Sequence, residues 1–331
     1  MNKIQFWLRN ARPEALPQSV MPALLAVCMT AGKSNFSWWA SAAAVVGVAF
    51  AHLSTNLLDD YFDYRNAHIE AREKLQRAGM RARIGKAPYL AEGTATLRQT
   101  LGVALLLAAI AVVLGIAVAC YRGWPVVWLA AAGGLLAYSY SGKPLKLGYH
   151  GLSEVITGII FGPLMMPGVY YAACGTFDPQ VWLLSAVVGL LVINILYTHS
   201  ILDRTADLSV GKTTLAGLLP SPGAQLAFSA LFNFAPPLII LVGIGAVLLS
   251  PWYALTLLTL PVGIGLFRMM AGWFRDPARR YEKRWWMGPM SNWDTIVKYE
   301  LDWFMIRWFL SRNYLTFLLL IAAVVALCVR G

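Results

Sequence analysis

Cysteine and charge are both scarce in this chain. Four cysteines, at 28, 120, 174 and 328, are spread over 331 residues with no Cys-x-x-Cys spacing. That excludes a dithiol redox pair or a thiolate zinc cradle, and leaves small buried hydrophobes as the expectation. Asp, Glu, Lys and Arg make up only 13% of the residues, against 58% hydrophobic, with a mean hydropathy of +0.59. No Ser/Gly linker and no polar tail divides the chain. The N-terminus has no small-residue cleavage site closing a short apolar core, so the first apolar run is expected to stay as an anchor.

What is present is a series of apolar runs near the 20 residues needed to cross about 30 Å of hydrocarbon. They fall at 15–33, 36–57, 98–119, 124–141, 152–173, 180–201, 224–247, 251–271 and 309–329. The expected fold class is therefore all-α: a polytopic membrane bundle of about nine transmembrane helices forming a single domain over 1–331. The net charge of +11 does not point to nucleic acid, because its distribution is one-sided. Of 27 Lys and Arg residues, all but Lys33, Arg122 and Arg330 fall on one side of a nine-helix arrangement. The positive-inside rule then puts the N-terminus and that side's loops in the cytoplasm, and the C-terminus outside. The same excess suits an anionic lipid surface or an anionic substrate.

Loops on the other side are short (Gly32–Phe36, Tyr121–Trp124, Gly175–Gln180, Ser250–Trp252), so function is expected on the cytoplasmic side. The segment 273–311 carries Trp273, Trp285, Trp286, Trp293, Trp303 and Trp308 among many basic residues. Tryptophan and snorkelling cations favour the headgroup layer, so this segment reads as interfacial.

Five aspartates stand at the ends of two apolar runs: Asn56-Leu-Leu-Asp59-Asp60-Tyr-Phe-Asp63, and His199-Ser-Ile-Leu-Asp203-Arg-Thr-Ala-Asp207. An acid at the bilayer centre costs roughly 2.5–3.5 kcal/mol on insertion scales, so such residues imply function. At helical spacing Asn56, Asp59, Asp60 and Asp63 share a face, and Asp203 and Asp207 stack one turn apart. Like charges so placed repel unless a cation joins them. Oxygen ligands alone point to Mg²⁺ with waters and phosphates rather than to zinc. Ion pairing with Arg65, Arg204 or Lys212 is the structural alternative. Arg12, Lys143, Lys146 and Lys212 lie beside the acids and suit a diphosphate. Gly211-Lys212-Thr213-Thr214 is not a phosphate-binding loop: Ala206 stands where the earlier glycine is required, and no strand precedes it. A cation-coupled transporter is the competing class, but it would place acids near the midplane.

These two motifs resemble those of the UbiA superfamily of intramembrane prenyltransferases. Arg9-Asn-Ala-Arg12-Pro13-Glu-Ala-Leu-Pro17 resembles the entry to that family's first helix, and Tyr138 to Glu154 (Tyr-Ser-Tyr-Ser-Gly-Lys-Pro-Leu-Lys-Leu-Gly-Tyr-His-Gly-Leu-Ser-Glu) is similar to its loop after helix four. That loop, Phe161-Gly-Pro163 and Gly211-Lys-Thr-Thr-Leu-Ala216 look most like the 1,4-dihydroxy-2-naphthoate prenyltransferases of menaquinone synthesis. The chain departs from the pattern at Ala67, where a third acid is common, at His199-Ser200, where Asn-Asn is usual, and in the long 273–311 segment. The resemblance implies transfer of a polyprenyl group from its diphosphate to an aromatic acceptor. It implies Mg²⁺ held by Asp60, Asp63, Asp203 and Asp207, with Asn56 and Asp59 assisting. Lys143, Lys146 and Lys212 would neutralise the leaving diphosphate. Tyr138, Tyr140, Tyr197 or Asn194 would shape the pocket of an allyl cation.

Overall fold

The computed structural model describes residues 2–65, 87–209 and 211–329. Ala67 and the basic stretch from Arg77 to Lys86 lie outside the described residues. Among those described the protein is nearly all helical. A short helix, α1 (Lys3–Asn10), precedes nine segments: α2 (Pro17–Thr30), α3 (Trp38–Arg65), α4 (Leu97–Arg122), α5 (Trp124–Ser141), α6 (Ser153–Cys174), α7 (Pro179–Leu202), α8 (Pro222–Gly245), α9 (Pro251–Arg275) and α10 (Asp302–Cys328).

Each expected apolar run falls on one of these nine segments, but only seven are long and apolar enough to cross a membrane. The exceptions are α2 and α5. With 14 residues, α2 reaches about 21 Å at 1.5 Å per residue, because Pro17 starts it late and Thr30 ends it. Local chemistry sets the other starts. Thr96 and Gln99 form a reciprocal capping box before α4, while Asp178 and Ser221 cap α7 and α8, each followed by a proline in the first helical position.

The helices close a ring: each of the nine packs against its neighbours in sequence, and α10 returns to α2. Within it, α7 touches α6, α8 and α10 and is the most buried span. By contrast α4 is the least buried and turns Leu105, Leu106, Val112, Val113 and Ile116 outward, as a lipid-facing helix does. Cys174 is buried as expected, whereas Cys120 and Cys328 are exposed at helix ends.

At the α6–α7 crossing the two backbones approach closely. Gly158 and Gly162 form a Gly-x-x-x-Gly step facing Gly189, and a Cβ on Gly162 would lie 2.4 Å from the Ser185 carbonyl oxygen. At the same level α6 makes a π-turn over Ile160–Leu164 containing Pro163, which has no N–H to give the helical ladder.

The tryptophan-rich segment is divided. Trp303 and Trp308, grouped by sequence with an interfacial stretch, belong to α10, which starts at Asp302 rather than near 309. Arg307 is fully buried there, donating to the carbonyls of Met269 and Trp303, with Trp273 and Tyr281 against its guanidinium at 5.5 and 5.3 Å. Asn313 donates to the carbonyls of Met287 and Pro289, so the 276–301 connection is fastened along α10.

Candidate active site

The first acidic motif ends α3, which runs to Arg65 rather than stopping near 57. Asp60 and Asp63 turn inward, at 1% and 2% exposure, as the helical spacing requires. The chain before α2 meets them. Arg12 takes a left-handed turn (φ 60°) that sends its guanidinium back onto α3. Its Nη2 lies 3.1 Å from Asp60 Oδ1 and 3.8 Å from Asp59 Oδ2, and donates to the Asn56 carbonyl at 2.7 Å. Burial opposes the Arg12 charge, but Asp60 and Asp59 outweigh it and raise its pKa. Asn56 Nδ2 donates to the Ala11 carbonyl at 2.9 Å, so α3 and the N-terminal elbow are joined from both sides.

Each acid also accepts from a neutral hydroxyl. Ser141, at the end of α5, donates to Asp59 Oδ1 at 2.8 Å. Tyr89 donates to Asp60 Oδ2 at 3.2 Å; burial first, and then Asp60, push its phenol upward and keep it a donor. Tyr149 donates to Asp63 Oδ1. That last contact exists because the loop after α5 folds back: Gly148 sits on Tyr140, where a Cβ would come 2.9 Å from the Tyr140 carbonyl oxygen.

The second motif follows the end of α7. The helix stops at Leu202, and Arg204–Ser209 forms a short helix of its own. The row still holds, since the Asp203 N–H donates to His199 O and the Asp207 N–H to Asp203 O, each at 2.8 Å. Asp203 and Asp207 are each 5% exposed. Lys212 donates its backbone N–H to Asp207 O at 2.9 Å and places Nζ 6.0 Å from the Tyr149 ring centre, a distance shared by Lys146 Nζ. The Thr213 N–H donates to Tyr149 O at 3.2 Å, and the Gly151 N–H to Thr213 O at 2.8 Å. Tyr149 therefore joins both motifs and both lysines.

Glu154 is fully buried at the start of α6 and accepts from the hydroxyls of Ser153 and Ser200 and from the Leu215 N–H. It fastens the end of α7 to the loop past Asp207. Ser200 is one of the two departures before the second motif, and this is its partner.

Other expected site residues stand apart. Tyr138 is half exposed and donates to Lys143 O, and Lys143 itself is exposed. Tyr197 is fully buried and donates to Gln225 O at 2.9 Å, and Asn194 pairs with Asn233, so the polar groups of both are engaged between α7 and α8. Of the suggested ion-pair partners, Arg65 donates to Tyr61 and Arg204 to Ala216 O; the ion pairs drawn by Asp59 and Asp60 are with Arg12.

Four buried carboxylates and no thiolate suit a hard cation. Among the described residues no three Asp, Glu, His or Cys side chains converge into a ready-made cage. The carboxylates of Asp60, Asp63, Asp203 and Asp207 are oxygen donors of the kind that suits Mg²⁺, which keeps waters and takes phosphate oxygens.

Residues 19–290 match the UbiA prenyltransferase family, and the chain belongs to it. Over 253 residues it is 26% identical to 1,4-dihydroxy-2-naphthoate octaprenyltransferase of Bacillus subtilis, covering 76% of this chain and 77% of that one. Its fold matches a UbiA homolog from Aeropyrum pernix K1 with a TM-score of 0.65 at 18% identity, over 95% of this chain and 98% of that one. A UbiA homolog from Archaeoglobus fulgidus bound to GPP and Mg²⁺ matches with a TM-score of 0.56 at 14% identity, over 98% and 99%.

Proposed function

We propose that the protein transfers a polyprenyl group from its diphosphate to the ring of 1,4-dihydroxy-2-naphthoate, at the end of the helix ring where the two acidic motifs meet. The junction at Tyr149 carries this reading: buried acids and two lysines are gathered around one phenol. The acceptor is suggested by the Bacillus subtilis relative and by the loop from Tyr138 to Glu154.

In this reading the prenyl C1–O bond breaks, and its electron pair leaves with the diphosphate. Lys146 and Lys212 hold that anion, and Lys143, exposed on the same loop as Lys146, is the third cation of this reading. Preorganised cations at the place where charge develops lower the barrier because they need no reorientation during reaction. A ring carbon of the acceptor attacks the allyl cation and then loses its proton. Asp60, Asp63, Asp203 and Asp207 would hold Mg²⁺, which would supply Lewis-acid neutralisation of the leaving group. Arg12 keeps Asp59 and Asp60 oriented rather than binding substrate. The site faces the cytoplasm, the C-terminus lies outside, and the 276–301 connection rests in the headgroup layer.

Purified protein with Mg²⁺, a polyprenyl diphosphate and a panel of hydroxylated aromatic acids tests this directly. Release of diphosphate only with the naphthoate is the expected result. Release with 4-hydroxybenzoate alone would reassign the acceptor. No release with any acceptor, together with cation flux in liposomes, would favour a transporter.

A further inference from the structure

We infer that residues 285–290 are the tip of a re-entrant hairpin, clasped by Asn313, that dips into the hydrocarbon layer beside α9 and α10 and sets Trp285 against lipid acyl chains. The limbs of the 276–301 connection stay in the headgroup layer, as proposed above, and the tip goes deeper. This requires only that α9 and α10 cross the membrane, and it holds whichever acceptor the protein uses. The contacts of the tip fix its depth. Asn313 of α10 donates from Nδ2 to the Met287 carbonyl at 2.7 Å and to the Pro289 carbonyl at 3.1 Å. A Cβ on Gly288 would run into the ring of Phe317, one turn further along α10. On the other side the Trp286 ring lies over Gly265 of α9, where it would meet an added Cβ. Asn313 stands 15 residues before Cys328, the far end of α10, and Phe317 stands 11 before it. Those are about 22 and 16 Å at 1.5 Å per residue, so a hydrocarbon layer of about 30 Å measured from that end extends past both. α9 agrees with this. Its 3-10 start over Pro251–Thr259 and the six residues from Leu260 put Gly265 about 27 Å from its far end.

The backbone chemistry of the tip suits that depth. Irregular chain inside hydrocarbon must satisfy its peptide groups within the protein, because no water reaches them. The Met287 N–H donates to Arg284 O at 3.1 Å, and the Gly288 N–H to Trp285 O at 3.2 Å. Pro289 has no N–H to place. The carbonyls of Met287 and Pro289 are the two that Asn313 answers, and Asn313 is itself 2% exposed. A single amide side chain on α10 thus supplies what water would supply to a surface turn.

Composition divides the hairpin in the same way. Residues 285–290 read Trp-Trp-Met-Gly-Pro-Met and carry no charge. Met287 and Met290 pack inward, while Trp285 is 92% exposed on the protein, a large apolar ring that lipid solvates better than water does. The limb before it carries Arg279, Arg280, Lys283 and Arg284, all exposed. Long cationic side chains stay with the phosphates while an apolar tip goes past them. Tyr281 pins this limb at the top, its ring 5.3 Å from the guanidinium of Arg279 and 5.3 Å from that of Arg307 in α10.

The test is made on the full-length protein in vesicles of phosphatidylcholine and phosphatidylglycerol. Hydroxyl-radical footprinting needs no substitution. Trp285 should be oxidised at least fivefold more slowly than Tyr299, which is 66% exposed on the returning limb, although Trp285 is the more exposed of the two on the protein. Equal oxidation overturns the inference. Nitroxide labels then separate lipid from protein cover, in a protein whose four cysteines are replaced by alanine. Labels are placed at Trp285→Cys, at Arg280→Cys as the aqueous reference, and at Leu320→Cys as the reference on the exposed face of α10. The label at 285 should match the one at 320: collisions with oxygen at least threefold above those at 280, and collisions with a water-soluble nickel chelate at least threefold below. Nickel access at 285 equal to that at 280 overturns the inference. Protection at 285 from both reagents also overturns it, because protein and not lipid would then cover the tip. Asn313→Leu removes the clasp and should raise nickel access at 285 at least threefold while leaving the label at 320 unchanged, which a general loss of fold would not allow. A tip that stays in the acyl layer in Asn313→Leu overturns the role given to Asn313.

Discussion

The hydroxyl of Tyr149 donates to Asp63, while the carbonyl of the same residue accepts from Thr213, six residues past Asp207. One residue of the loop after α5 thus sets the distance between two acidic motifs that are far apart in sequence. A hydrogen bond to a charged group contributes about 1.5–3 kcal/mol. Tyr149→Phe should therefore lower kcat/KM by roughly tenfold to a hundredfold, since 1.4 kcal/mol is a factor of ten. Tyr149→Ala should do more, because the ring beside Lys146 and Lys212 goes too. Steady-state kinetics of the two variants at saturating Mg²⁺ decide this; equal losses would mean that only the hydroxyl matters.

Glu154 has a different task. No solvent reaches it, and three donors from three places in the chain converge on its carboxylate. Glu154→Ala would strand those donors in the interior, at about 1–3 kcal/mol for each buried unmatched group. The expected result is a total loss of about 3–5 kcal/mol, read as a clear fall in thermal midpoint in detergent. Glu154→Gln keeps one carbonyl acceptor and should lose less than half as much. A Glu154→Ala variant as stable as wild type would show that the α7 end and the loop past Asp207 are held by something else.

Much of this site was legible in the sequence, and the reason is energetic. Acids beside apolar runs are costly, so the rows Asp59–Asp60–Asp63 and Asp203–Asp207 stand out, and helical periodicity says which of them turn inward. What was not legible depends on where loops return. Tyr149 reaches Asp63 through a fold-back seated on Tyr140, and Arg12 reaches Asp60 through a single left-handed residue. Neither has a periodicity to read. Tyr138 misled because residue type was read without its face: Ser139 and Ser141 take the inward positions of α5, and Tyr138 points out. Glu154 did leave a signal, a lone acid opening the run 152–173, and it matters as a clamp on the second motif. The first span looked longer than it is because loop residues on both sides of α2 are also apolar.

Glycine positions offer a paired test of the α6–α7 crossing. A Cβ on Gly162 would meet the Ser185 oxygen at 2.4 Å and the Gly189 Cα at 2.8 Å, all backbone, so the helices themselves must separate. Overpacking of this kind costs about 1–3 kcal/mol or more. Gly115 in α4 has nothing within 4 Å of the same position. Gly115→Ala should therefore be neutral, or stabilising by up to about 1 kcal/mol through helix propensity. Gly162→Ala should lower both stability and turnover, because the crossing positions Glu154 and the α7 end. Thermal midpoints of the two variants side by side check this, and a Gly162→Ala protein as stable as Gly115→Ala would rule out the close approach.

Arg12 separates orientation from substrate binding. It faces Asp60, which is almost fully buried, and removing the partner of a buried charge costs about 3–5 kcal/mol. Its pKa is raised, so its contribution is complete below the ordinary arginine value and is lost only above that range. The stability difference between wild type and Arg12→Ala should accordingly be flat from pH 6 to pH 9 as far as Arg12 itself is concerned. Arg12→Ala should lose activity at least a hundredfold. If Arg12 orients the acids, adding Asp59→Asn to Arg12→Ala should cost less than the two single losses combined, because one of the uncompensated charges is gone. If it binds diphosphate directly, the losses should add and KM for the prenyl diphosphate should carry most of the Arg12→Ala effect. A double-mutant cycle on kcat and KM gives the answer, and additive losses with a raised KM would move Arg12 from the orienting group to the substrate site.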